Sequence, residues 1–144
     1  MILDSNVLFS DAQAITASAA STNVIDLGAT GKTAYGQVQL VRNLGKGGEI
    51  PLLIQVVETF AGCTSVTAIV QTDDNSAFSS PKDIQALTVP LAELKKGYIF
   101  CDDDLPRGIK ERYLRIYFTV VGGPASAGKI TAGIVGAVDG SYVG

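Results

Sequence analysis

Arg112 to Val121 reads RYLRIYFTVV, and the fold of the chain turns on this stretch. Leu114, Ile116, Phe118 and Val120 fall on one side of an extended chain, and Tyr113, Arg115, Tyr117 and Thr119 on the other. Successive side chains alternate across a strand, so this period of two predicts a β-strand with one apolar face and one aromatic, cationic face. The first face builds a core. The second is a candidate contact surface, because Tyr and Arg dominate the binding energy of many protein interfaces. The plain alternative is an ordinary sheet face on which Tyr and Thr sit for strand propensity.

Working outward, the stretch is preceded by the loop DDDLPRGIKE and followed by a Gly122-Gly123-Pro124 break. Similar short segments recur on both sides, separated by turn residues, and no sustained amphipathic helix interrupts them. Strands are expected at Val24 to Leu27, Tyr35 to Asn43, Ile50 to Phe60, Thr64 to Thr72, Ile84 to Leu91, Tyr98 to Cys101 and Lys129 to Val138. In the second of these, Val38 and Leu40 alternate with Gln37, Gln39 and Val41. In Ile50 to Phe60 the inward row is Ile50, Leu52, Ile54 and Val56, while Leu53 and Val57 make the other face apolar too, as in a strand covered on both sides. Turns are marked by Asp73-Asp74-Asn75-Ser76 and Asp139-Gly140, and Ala92 to Lys96 has room for one helical turn. Gly36, Gly133 and Gly136 sit inside strand-like segments, where glycine marks a bend or a close backbone approach. The pattern predicts an all-β domain over residues 23–144, a jelly roll or antiparallel β-sandwich of about eight strands.

Residues 1–22 read differently. Gln13 to Thr22, QAITASAAST, is small and uncharged and has little to bury, so the segment is expected as an N-terminal arm or extended stretch. Two expectations stand side by side, an arm that orders on a neighbouring subunit and a frayed terminus or surface-hugging loop; on the first, Leu8, Phe9 and Ile15 join Tyr113, Arg115 and Tyr117 as candidate interface residues.

The chain has 144 residues, a length that suits a single domain. Charged residues make up only 17% and the net charge is −3, with the basic residues scattered, which argues against nucleic acid or an anionic membrane as partner. A weakly charged surface suits a protein that spends its life against other protein. Cys63 and Cys101 lie in strand-like regions without metal or redox spacing and read as buried thiols of a reducing compartment, ahead of a disulfide. The N-terminal segment lacks the basic and apolar regions of a signal peptide, and no segment reaches transmembrane length.

Motifs that suggest chemistry do not hold up. Gly28 to Thr33, GATGKT, imitates a phosphate-binding loop, but the motif's first glycine is replaced by Asp26 and a strand-like segment follows where a helix is needed. Gly45 to Gly48 reads as a turn. Asp102, Asp103 and Asp104 are adjacent aspartates that project alternately, so they read as a solvated loop rather than a calcium site. Histidine is absent, which removes Ser-His-Asp and Cys-His catalysis and histidine-based metal centres. No enzyme activity, cofactor or metal is expected.

Leu105-Pro106-Arg107-Gly108-Ile109-Lys110-Glu111-Arg112-Tyr113-Leu114-Arg115, followed by Tyr117, Val120, Gly128, Lys129, Thr131 and Ala132, resembles the C-terminal signature of a capsid cement protein family of tailed phages. Leu8 to Ala14 and Ser18 to Gly28 resemble the opening of the same family. The resemblance implies a small jelly-roll protein on the outside of an icosahedral head, made in the bacterial host cytoplasm. It implies two partners, the major capsid protein and the chain itself, as a homodimer or a trimer. The competing expectation is a carbohydrate- or receptor-binding module of a virion, in which Tyr113 and Tyr117 stack on sugar rings. The absence of Trp weighs against it.

Overall fold

The alternation of Arg112 to Val121 is realised as a strand, Tyr113–Val121, at the centre of the larger of two antiparallel sheets. The computed structural model describes residues 2–100 and 104–136, and among them every regular element is a strand. In chain order these are β1 (Leu3–Ala14), β2 (Ala19–Ala20), β3 (Ile25–Asp26), β4 (Leu52–Ala61), β5 (Ser65–Asp73), β6 (Lys82–Pro90), β7 (Tyr113–Val121) and β8 (Ala127–Val135). One sheet has the order β1-β8-β4; the other has the order β2-β7-β5-β6, with β3 also paired to β7. The expected all-β class is what the chain adopts, as a β-sandwich.

The two inner faces make the core. Phe9 of β1, Ile54 and Val56 of β4, and Ile130 and Ala132 of β8 meet Val66, Ala68 and Val70 of β5 and Leu114, Ile116 and Phe118 of β7. Each of these rows has a spacing of two, which is why the period read from the sequence selects the buried side. Phe118 is fully buried, and so is Leu114. Leu53, on the opposite face of β4 from Leu52 and Ile54, is buried as well, so β4 is covered on both sides as its apolar run required. Its free edge is lined by the segment that follows β6, where Phe100 donates its N–H to Ile54 O (2.9 Å) and Gly97 to Val56 O (2.8 Å).

Three expectations are corrected. Tyr35 to Asn43 is no strand of either sheet; it belongs to a long connection between β3 and β4 and forms a small projecting hairpin bridged at Lys32 and Gln39. Tyr98–Phe100 runs along β4 without forming a ladder of its own, and Cys101 lies outside the described residues. Cys63 is buried, but in the turn between β4 and β5 rather than in a strand. Asp102, Asp103, Val138 and the Asp139-Gly140 turn also lie outside the described residues.

The N-terminal segment is extended and is part of the sandwich in the single chain. β1 pairs with β8, and Phe9 and Ile15 are both fully buried. Beyond Ile15, the low-complexity run is held mainly by polar bonds. Gln13 donates to Ala20 O (2.9 Å) and accepts from Ser10 Oγ (2.6 Å) and Thr22 N (3.0 Å). Ser18 and Ser21 accept the backbone N–H groups of Val120 (3.0 Å) and Ile116 (3.2 Å) along the edge of β7. Small residues suit such a seam because the backbones approach closely. Gly133, in the middle of β8, shows the same constraint: a Cβ there would lie 2.8 Å from Leu8 Cδ2.

Candidate functional site

Tyr113, Arg115 and Tyr117 share the outer face of β7, each half-buried. They do not stand free. Arg115 faces Gln71 across the sheet and donates from Nε to Gln71 Oε1 (2.9 Å), while Gln71 donates to Asp83 Oδ1 (2.7 Å) on β6. The guanidinium lies 4.1 Å from the ring centre of Phe78 and 5.5 Å from that of Tyr117, a cation packed between two aromatic faces. Arg112 lies beside Tyr113, 5.2 Å from its ring centre, and closes a two-point ion pair onto Asp26 at 2.7 and 2.8 Å.

Phe78 reaches this face because the β5–β6 connection is a tightly bonded turn, as its Asp-Asp-Asn-Ser sequence predicts. Asp73 accepts the N–H of Asn75 (3.0 Å) and of Ser80 (2.8 Å), and Asn75 accepts that of Ala77 (2.9 Å). These donors hold the Asp73 carboxyl below the usual carboxylate range, and the Arg112 guanidinium pulls Asp26 down to about 2. Phe78 itself sits at positive φ, where few residues other than glycine settle, and its ring is buried over Arg115.

Leu8 is half-buried and packs on Gly133. Phe9 and Ile15 have no exposed surface in the single chain, so they are core residues here rather than contact residues. An apolar residue in a small, polar neighbourhood gives no local sign of its cover, which β8 and β7 supply from far along the chain. A shallow groove of about 440 Å³ runs between β1 and the segment before β3, lined mainly by Ser5, Asn6, Ser10, Asp11, Thr22 and Asn23.

The largest apolar exposure lies elsewhere, on the hairpin that alternation misassigned. Tyr35 is 93% exposed, Val41 85%, Val38 64% and Leu40 49%. The hairpin is nonetheless well ordered by its own bonds. Thr33 N donates to Val38 O (2.9 Å), Leu40 N to Gly31 O (2.9 Å), and Thr33 Oγ1 both donates to Tyr35 O (2.7 Å) and accepts from Val38 N (3.1 Å). Gly36 and Gln37 take positive φ at the tip, the conformation a tight reversal needs. Arg42 pins the base, donating to the carbonyls of Leu27 (3.2 Å), Gly28 and Glu111 (3.1 Å). Gly36 inside an alternating run was the available signal for a turn here.

Among the described residues no three His, Cys, Asp or Glu side chains gather as metal ligands, and no helix is long and apolar enough to cross a membrane. Burial pushes the Cys63 thiol up, away from nucleophilic reactivity. The described surface presents a projecting apolar hairpin and an aromatic, cationic sheet face.

No curated protein matches the chain. The family model Bbp16 matches residues 9–134, nearly the whole sandwich, and the chain therefore belongs to that family, whose name points to a bacteriophage protein.

Proposed function

We propose that this member of the Bbp16 family is a decoration protein of a phage head, binding the outside of the icosahedral shell and bridging major capsid subunits. The observation that carries the reading is the bare hairpin. A lone soluble domain rarely keeps several large apolar side chains together in solvent unless they meet a partner. The family's bacteriophage name and the weakly charged composition support a partner that is itself virion protein. Self-association as a homodimer belongs to the same reading, since two-fold closure is the commonest way to repeat a patch.

The mechanism is mechanical rather than chemical. Packed DNA pushes a shell outward, and a protein bound across subunit boundaries must release all its contacts before the boundary opens. Binding to the closed shell and not to its fragments shifts the equilibrium toward the closed form. Many modest contacts suffice, and the rigid sandwich keeps them in register.

Analysis of purified virions tests the assignment. The chain is expected in a fixed ratio to the major capsid protein and open to antibody labelling from outside intact heads. Its absence from virions, or its presence only in the lysate, contradicts the reading.

A further inference from the structure

We infer that the hairpin from Gly31 to Val41 is a basic, apolar plug that seats in an apolar hollow with an acidic rim on a different protein; the inference rests on the decoration reading, in which that protein is the shell subunit. Three observations on this chain converge on the hairpin. Tyr35 and Val41 are the two most exposed large apolar side chains among the described residues, and Val38 and Leu40 are exposed beside them. Its backbone is already bonded into the shape it presents, and Arg42 fixes its base to the carbonyls of Leu27, Gly28 and Glu111. A preorganised contact element loses little conformational freedom on binding, so its exposed area converts efficiently into affinity.

Charge decides the occupant. Between Leu27 and Gly48 the chain carries Lys32, Arg42 and Lys46 and no acidic residue, so this segment is +3 while the remainder of the −3 chain is −6. The apolar projection therefore belongs to a positive segment, while the other described residues carry 8 basic and 11 acidic side chains, a balance of −3. An acidic surface attracts the hairpin and repels the rest, which selects one docking orientation. A two-fold contact of hairpin on hairpin in a second copy would set Lys32 against its own equivalent, with Arg42 at each base beside it, an unfavourable match. The favoured occupant is therefore a different protein, acidic around an apolar hollow.

The test compares the parent with two variants on heads that lack the protein: Tyr35→Ser/Val38→Ser/Val41→Ser, and Lys32→Glu. Melting temperature and sedimentation of each variant alone are measured beside head binding. The parent is expected to bind, with affinity falling as salt rises. The triple variant should lose about tenfold or more in affinity, and Lys32→Glu should bind more weakly with a flatter salt dependence, both melting and sedimenting like the parent. If the parent binds and both variants bind equally well, the plug is overturned while the decoration reading stands. If either variant loses self-association, the occupant is a second copy and the inference is overturned. If the parent itself does not bind heads, the decoration reading fails and the plug falls with it. A triple variant that fails to fold leaves Lys32→Glu to decide on the same criteria.

Discussion

Arg115 shows how one residue changes meaning between sequence and structure. From alternation alone it is a surface cation flanked by two tyrosines, and Arg115→Ala is expected to spare the fold. In the molecule its guanidinium is packed on Phe78 and bonded to Gln71, which is itself buried. Arg115→Ala is therefore expected to cost about 1–3 kcal/mol, through loss of the cation–aromatic contact and an unsatisfied buried amide. Urea unfolding measures it. Arg115→Lys should recover little, because a lysine lacks the planar fork that meets Gln71 and the rings together. Phe118→Ala, on the inner face of the same strand, should cost about 3–5 kcal/mol by leaving a cavity. Tyr113 and Tyr117 were legible as one face; that Phe78 would fold over Arg115 was not, because that contact depends on a turn far away in sequence. Acid provides a second residue-scale test. Asp26 and Asp73 have lowered pKa values in the folded chain, Asp26 from 3.8 to about 2. A depressed folded pKa contributes stability above the unfolded value and loses it as pH falls through the folded one. Melting temperature should therefore fall between about pH 4 and pH 2, and Asp26→Asn should flatten part of that slope. An unchanged slope in Asp26→Asn contradicts the Arg112 clamp as its source.

At the scale of elements, β4 and β8 of one sheet and β5 and β7 of the other were legible because each carries an apolar row that only a strand can bury. β7 falls within the segment that alternation marks, β4 and β5 each run one residue past theirs, and β8 starts two residues before its own. Tyr35 to Asn43 carries the same period and is not a strand of either sheet, since period describes a local preference and pairing needs a partner edge. Gly36 and Gln37 turn the chain back before an edge is reached. The opposite error concerns β1. Its flanking residues are too small and polar to signal burial, yet Phe9 and Ile15 are core because β8 passes alongside. Two measurements follow. Gly133→Ala forces a methyl group against Leu8, and should destabilise the fold by about 1–3 kcal/mol; Leu8→Ala should offset part of that cost in a double-mutant cycle. Replacing the hairpin residues Lys32 to Gln39 by a short glycine-serine linker should leave stability within about 0.5 kcal/mol, since this segment buries little apolar surface. A large loss of stability on that replacement would make the hairpin a structural element rather than a contact element.

At the scale of the whole molecule, the sandwich acts as a rigid frame that carries a basic, apolar projection on an otherwise acidic body. The surface nominated from sequence and the barest surface of the structure lie in different places. The aromatic face of β7 is partly occupied by its own chain, and the hairpin is the barer surface. Sedimentation at micromolar concentration is expected to show a species heavier than the 14.9 kDa chain. The central claim, that the protein holds a shell closed, is tested most directly by heating DNA-filled heads stripped of it and the same heads after rebinding the purified protein, with DNA release as the readout. Rebinding should raise the release temperature in proportion to occupancy. Saturating occupancy with an unchanged release temperature would contradict the claim.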